Sequence, residues 1–523
     1  MDLCGSVAQL AAAIRPQLSP PVADRVEDVA GRLGGPLQLA VAGRIKSGKS
    51  TVVNALIGRR VSPTDIRECT RMVTRFRYGT VDRVEIVGTK GQRKTIPYDD
   101  EGLVPAELGV PTDQVAYVDA YLTSEALRDM TVIDTPGLGS LDEQSAQRTT
   151  DLLGGGVTSA RPGHVPGGGP GRPGRGGTGR DDPGLDRGSS EAIARAEAVL
   201  FVLTQAARAD DFETLSIFHA HATPRSSNPI NALALLNKAD QIVAADDPGS
   251  DPWPAARELA KAQSAALRHR VSDVVPLIGL IAETARTGLF TETDAAALRA
   301  IAELDEDERM MLFYSADFFI NADVDVDARV RGRLIERLDL FGIRYAVEQL
   351  VAGPDVSAGE LRRRLDAMCG FPEVREVVDR AFRRQADGIK ANFALATLES
   401  ICAGAPPADR ACIRDALEKL MQRPEAHQLR MLEAASIVGT GIVALPPEFT
   451  EDLAALIGHD TPSEQLGRPG APMETLRQIA LDKAGRWRSF ATFGSTPAQS
   501  RVAHVVHRGY FLLYQQLSPG RTR

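Results

Sequence analysis

Apolar residues recur at helical spacing from the start of the chain. Val7, Leu10, Ala11 and Ile14 share one face, and a second amphipathic stretch runs from Val22 to Leu33. A Gly-Gly-Pro break at 34–36 ends this region, and the period then changes. Short apolar runs follow at 37–42, 72–78, 84–87, 115–122, 130–134, 198–203, 232–237 and 274–278. Several are continuously apolar, as strands buried on both faces of a parallel sheet must be, and helical stretches lie between many of them. An α/β domain is expected over 36–285. Beyond about 285 the strand signal stops. Residues 329–351 carry Leu334, Ile335, Leu338, Ile343, Val347 and Leu350 at three-to-four spacing, and similar patterns cover 361–404, 409–436, 449–457 and 474–517. The pattern predicts a mostly parallel sheet with helices on both faces, then an α-helical bundle at 286–523, with helices at 1–35 ahead of the sheet.

One segment fits neither period. Residues 151–190 hold fourteen glycines and five prolines. Such a stretch buries too little apolar surface to offset its ordering entropy, so 154–188 is expected to be a disordered Gly/Pro-rich insert.

Composition narrows the function classes. A chain of 523 residues is too long for one core. A net charge of −8 argues against a nucleic-acid partner, which calls for a basic domain. Five scattered cysteines without a CxxC pair support neither a disulfide framework nor a zinc site. The N-terminus has no secretory pattern and no window reaches the length of a bilayer span, so a cytoplasmic protein is expected, at most peripheral on the inner face of the plasma membrane. Two segments bear on anionic lipid. Residues 436–447 read either as an apolar tip loop or as a buried helix end and turn, and 361–368 form a basic helical face that is either a headgroup contact or simply solvated.

The chemistry lies at the ends of the apolar runs. Gly43, Gly48, Lys49 and Ser50 satisfy the phosphate-loop spacing G-x-x-x-x-G-K-[ST], between a strand and a helix. Backbone N–H groups from Gly43 through Lys46, Ser47, Gly48 and Thr51 are placed to wrap phosphates. Lys49 supplies charge at the β- and γ-phosphates, and Ser50 offers a hydroxyl to Mg²⁺. Asp134-Thr135-Pro136-Gly137 follows the strand at 130–134. Asp134 suits Mg²⁺ and the Gly137 N–H suits a γ-phosphate. Asn237-Lys238-Ala239-Asp240 closes another strand. Asp240 can accept from guanine N1–H and the 2-amino group, Lys238 can stack on the base, and Asn237 can tie this loop to the phosphate loop. Together the motifs predict a GTP-binding P-loop domain with Mg²⁺ as cofactor. For the switch hydroxyl that completes the metal shell, Thr70 is preferred over Thr74, whose alternation with Met72 and Phe76 turns it to the sheet, and over Thr64. Leu138 follows Gly137 where many GTPases carry a water-orienting Gln.

These motifs, with the strings GKSTVVNALIG, SPTD, ECTRMVTRFRYG and ARVRGRLIERLDLFGIRYAVEQL, resemble bacterial dynamin-like GTPases, in particular the mycobacterial isoniazid-inducible group. The resemblance implies a G domain that dimerises across its nucleotide face, with itself or a paralogue. It also implies an elongated helical neck and trunk, GTP-driven membrane remodelling and a part in tolerance to cell-wall drugs. On that likeness Lys49, Ser50, Thr70, Asp134, Gly137, Asn237, Lys238 and Asp240 are nucleotide or metal contacts, with Lys46, Lys49, Thr70 and Gly137 in catalysis. Two positions depart from the family. Ile278-Gly279 stands where a Ser-Ala or Ser-Gly pair would cap the base, and 154–188 falls where a switch-following helix is expected. Lys46 occupies the place of a dynamin serine that helps hold a monovalent cation. Its ammonium is either a built-in substitute for that cation or a solvated side chain on the loop's rim. The competing reading of the whole chain is a GTP-dependent switch or scaffold with little turnover.

Overall fold

The computed structural model describes residues 3–63, 72–135, 196–207, 231–242 and 251–518, less positions 106, 112, 113, 269, 424, 425, 440, 460 and 494, together with Asp211 and Leu215. Thr64, Thr70, Gly137, Leu138 and the 154–188 segment therefore lie outside the described residues.

Two helices open the chain, α1 (Leu3–Ile14) and α2 (Pro20–Leu33). Next come β1 (Leu37–Gly43), α3 (Lys49–Ile57), β2 (Thr74–Tyr78), β3 (Arg83–Gly88), β4 (Arg93–Ile96) and β5 (Val115–Leu122). The sheet is completed by β6 (Met130–Asp134), β7 (Ala198–Leu203), β8 (Ala232–Asn237) and β9 (Val274–Leu277), with α4 (Pro252–Leu267) before β9 and α5 (Gly279–Arg286) after it. Helices follow: α6 (Glu292–Ala302), α7 (Glu306–Leu312), α8 (Ala316–Asn321), α9 (Ala328–Ala352), α10 (Ala358–Met368), α11 (Phe371–Val378), α12 (Ala386–Gly404) and α13 (Pro407–Met421). The last are α14 (His427–Gly439), α15 (Pro447–Gly458), α16 (Pro462–Gln465), α17 (Met473–Phe493) and α18 (Pro497–Gln516).

The strands form one sheet in the order β4-β3-β5-β2-β6-β1-β7-β8-β9. β6, β1, β7, β8 and β9 run parallel, so their carboxyl ends share one edge, where ligands of open α/β sheets bind. β6, β7 and β8 are buried along their whole length, as the continuous apolar runs require. β4 was not among the expected strands. Its residues Arg-Lys-Thr-Ile are mostly exposed and pair only with β3, so this polar edge strand carries no apolar period to read.

A single apolar core runs from Leu37, Leu39, Val52 and Val53 through α5, α6, α9, α10 and α11 to Ile389. The position 285/286, where strand signals end, thus falls inside a continuous core. Helical periodicity reports that a face is buried but not what it is buried against, and here the first helices extend the sheet's core, α11 against β9 and the others by way of α5. A second core joins α1 and α2 to α12 and α13. A third, around Trp487 and Tyr510, holds α14, α15, α17 and α18. The junction between the first two is pinned by Lys390, whose Nζ donates to Leu33 O at 2.6 Å and also to Gly35 O. Asp387 accepts from the N–H groups of Leu3 and Cys4, satisfying donors at the start of α1.

α9 is bent in its middle. Asp339 stands at φ 54°, ψ 174°, a region that side chains rarely adopt. Close packing on α5 drives the bend: a Cβ on Gly342 would lie 2.9 Å from Ile281 Cδ1, and Thr284 Oγ1 donates to Arg337 O at 2.5 Å. Asp339→Gly is expected to raise stability by about 1 kcal/mol, and Asp339→Ala not to. Thermal denaturation of both variants checks this, and a midpoint for the glycine variant below that of the parent contradicts it.

No described helix is long and apolar enough to cross a membrane. In the 436–447 stretch Val443 is buried and Ile437, Val438 and Leu445 pack on the third core, leaving Ile442 exposed. Most of that stretch is thus a packed helix end and turn. On α10, Arg363 and Arg364 both pair with Glu360, while Leu361 and Leu365 are buried.

Candidate functional site

β1 ends at Gly43, whose φ is 150°. A Cβ there would lie 2.5 Å from Val202 O, so the loop can hug β7 only with glycine. The chain then turns over Ser47, passes Gly48 at φ 88° and enters α3 at Lys49. A Cβ on Gly48 would meet Asn237 Nδ2 at 2.2 Å. That contact is the centre of the arrangement. Asn237 Nδ2 donates to Ser47 O at 2.8 Å, and its Oδ1 accepts from Gly279 N at 2.8 Å. One buried amide therefore holds the phosphate loop against both the 237–240 loop and the β9–α5 turn. It also accounts for glycine after Ile278, because a Cβ at 279 would lie 2.7 Å from Asn237 Oδ1.

Lys49 is buried, and its Nζ donates to Gly43 O at 3.0 Å and Arg44 O at 2.9 Å. The ammonium is thereby held over the loop by the loop's own carbonyls. Ser47 Oγ is buried with no hydrogen-bond partner among the described residues, a hydroxyl left for an acceptor at the loop. Lys46 projects from the exposed rim with φ 64°, and Ser50 and Thr51 begin α3.

Asp134 is fully buried at the end of β6, and its Oδ2 accepts from Ser62 Oγ at 2.7 Å. The next residue, Thr135, donates to Val41 O and ties this loop to β1. Ser50 hydroxyl and Asp134 carboxylate are hard oxygen donors, the set that suits Mg²⁺, which keeps most of its waters. Among the described residues there is no His/Cys/Asp/Glu cluster of the kind that would hold a softer metal. Thr74 lies in β2, buried in register with Asp134.

Lys238 adopts a left-handed conformation, φ 60°, which starts the turn carrying Asp240. Burial pushes the Asp240 carboxyl up to about 6, and the neighbouring charge of Asp339 at the bend of α9 pushes in the same direction.

Three residues of this region had no motif to mark them. Asn54 on α3 is fully buried: its Oδ1 accepts from Val61 N and Ser62 N, and its Nδ2 donates to Ser62 O and to Glu283 Oε1 at 2.7 Å. It thereby fixes Ser62, the partner of Asp134. Burial raises the Glu283 carboxyl to about 7. The one available signal was a lone amide in the apolar run VVNALI.

A family model described as "Dynamin family" matches residues 39–215. The isoniazid-induced protein IniC of Mycobacterium tuberculosis is 30% identical over 506 residues, covering 95% of this chain and 94% of that one. A bacterial dynamin-like protein of Nostoc punctiforme is 46% identical over 52 residues, 10% of this chain and 8% of that one. A solved structure of an oligomerised bacterial dynamin pair covers 98% of this chain and 73% of its own, at 12% identity and a TM-score of 0.29, too low to bear on the fold.

Proposed function

Because this chain belongs to the bacterial dynamin family, we propose that it binds GTP with Mg²⁺, hydrolyses it, and pairs through its G domain with itself or a paralogue. The setting is the cytoplasmic face of the membrane, where it remodels lipid and contributes to tolerance of cell-wall drugs. The observation that best supports this reading is the Asn237 clamp, which makes the phosphate loop and the base-reading loop one unit. The triphosphate lies on Gly43–Ser50, and Lys49 leaves its loop carbonyls for the β- and γ-oxygens. Ser50 and Asp134, with Thr70 as the expected switch hydroxyl, would hold Mg²⁺, whose charge would stabilise the transferring phosphoryl group. Gly137 meets the γ-phosphate, Lys238 stacks on the base and Asp240 accepts from guanine.

With Leu138 in place of a water-orienting glutamine, charge must come from elsewhere, and we assign that to Lys46. Lys46→Gly removes the ammonium without straining a backbone already at φ 64°. It is expected to lower GTP turnover about 10- to 100-fold while GTP affinity changes less than about threefold. Unchanged turnover, or a parent protein that depends strongly on Na⁺ or K⁺, would remove Lys46 from the mechanism.

GTP hydrolysis measured against protein concentration, with and without anionic liposomes, tests the reading as a whole. Specific activity that rises with concentration is the expected result. Tight GTP binding with flat, negligible turnover would point instead to a switch or scaffold, and no GTP binding would overturn both.

A further inference from the structure

The 303–327 segment, which links α6 to α9 by way of α7 and α8, holds nine carboxylates against one arginine. All nine carboxylates are exposed. The arginine does not offset them at the surface, because Arg309 turns inward to donate to the carbonyls of Ala302 and Leu304. The same segment exposes Met310 (68%), Met311 (66%), Tyr314 (86%) and Phe318 (41%). These are four of the eleven large apolar side chains exposed among the described residues, gathered within nine positions. The lobe is nonetheless firmly anchored. Leu312 and Phe319 are buried, Phe313 stacks on Phe319, and the buried Arg331 donates to Phe319 O and Ala322 O. An anchored, acidic surface with an exposed apolar centre is the pattern of a docking site.

Its complement lies on the same chain. On the third core, α14 and α18 enclose an open cavity of about 430 Å³, lined by Arg430, Arg508, His504, His507, Val505 and Phe511. No carboxylate is among the described residues lining it. His507, Phe511 and Tyr514 form an aromatic row beside it, and Phe511 is 40% exposed. A concave basic and aromatic surface is suited to an acidic one bearing exposed Tyr and Met. An acidic lobe would be repelled by an anionic membrane, which leaves a basic protein surface as its occupant.

We propose that the 303–327 lobe docks into the α14–α18 cavity of a second copy of this chain. Because the two patches differ, head-to-tail pairing leaves a free lobe at one end and a free cavity at the other and assembly continues beyond a dimer, whereas reciprocal pairing closes a two-fold dimer. The contact uses neither the phosphate loop nor the base-reading loop, so it forms without nucleotide.

Sedimentation velocity of the full-length protein, without nucleotide, provides the test. The parent protein is expected to self-associate as concentration rises and to dissociate at about 0.5 M salt, where screening shortens to a few ångströms. Glu303→Arg with Asp307→Arg makes the lobe much less acidic, leaving seven carboxylates against two new arginines, and Arg430→Glu with Arg508→Glu makes the cavity acidic. Each double variant alone should associate at least about tenfold more weakly, with an unchanged thermal midpoint. Mixed together they should associate again, because the intact lobe of the cavity variant meets the intact cavity of the lobe variant. Tyr314→Ser should weaken association with no change in charge. A parent protein that stays monomeric, association that ignores salt, or double variants that fail to rescue one another each overturns the proposal. So does a cavity variant that loses binding to phosphatidylglycerol vesicles but still self-associates, which would make the cavity a lipid site.

Discussion

Asp240→Asn is expected to weaken GTP binding by about 10²- to 10³-fold and to shift preference toward xanthosine triphosphate. The carboxylate of Asp240 can accept from both guanine N1–H and the 2-amino group. An asparagine offers one acceptor and one donor, so a buried donor would face the 2-amino group. Xanthine carries a carbonyl at that position and accepts what guanine repels. The same residue gives a pH dependence. Burial holds its carboxyl up to about 6, so near pH 7 it is mostly ionised and ready to accept. As pH falls through about 6 the proton occupies the acceptor. GTP affinity should then drop about tenfold per pH unit below that point, and the Asn variant should lose this dependence. Titration calorimetry of both proteins from pH 5 to 8 checks the claim. A parent affinity that is flat across that range, or an unaltered preference for GTP in the variant, would refute it.

The second large effect is on folding. Asn54→Ala leaves two N–H groups, one carbonyl and the Glu283 carboxyl without the partner that satisfied all four in a fully buried place. Unsatisfied buried groups of this kind cost about 3–5 kcal/mol together. For a domain of this size the loss corresponds to a fall of roughly 8 °C or more in the melting midpoint of the sheet-containing half. The variant should also bind GTP less tightly, since Ser62 and with it Asp134 lose their support. A midpoint within about 2 °C of the parent protein would show that the network is dispensable. Glu283→Gln, which keeps an acceptor for Asn54, should be mild by comparison.

Much of the fold was legible because two devices write themselves into sequence. Strands buried on both faces demand unbroken apolar runs, and β6, β7 and β8 are of that kind. A loop that hugs a neighbouring strand demands glycine, and Gly43 and Gly48 stand where any Cβ would collide. What was not legible depends on partners distant in the chain. β4 exists because β3 offers it an edge. The packing of α6, α9 and α10 around α5, and of α11 on β9, leaves the same amphipathic stripe that a separate bundle would. The bend at Asp339 follows from the approach of Gly342 to α5, which no local pattern announces. At the candidate site the residues of the phosphate-loop, Asp134 and Asn237 motifs stand at fixed spacings, whereas Asn54, Ser62 and Glu283 are a relay between motifs and have no fixed spacing of their own.

The Lys390 junction has a topological consequence. The chain enters the sheet-containing head at Leu33–Leu37 and leaves it near Ile389, and one ammonium fastens the incoming carbonyls to the outgoing helix. In chain order the head is therefore an insertion into a helical body already begun by α1 and α2, and its two chain connections meet at one seam. Both connections cross that seam side by side, as two cords pass through one eyelet. Any sliding of one connection past the other would break the two Lys390 hydrogen bonds.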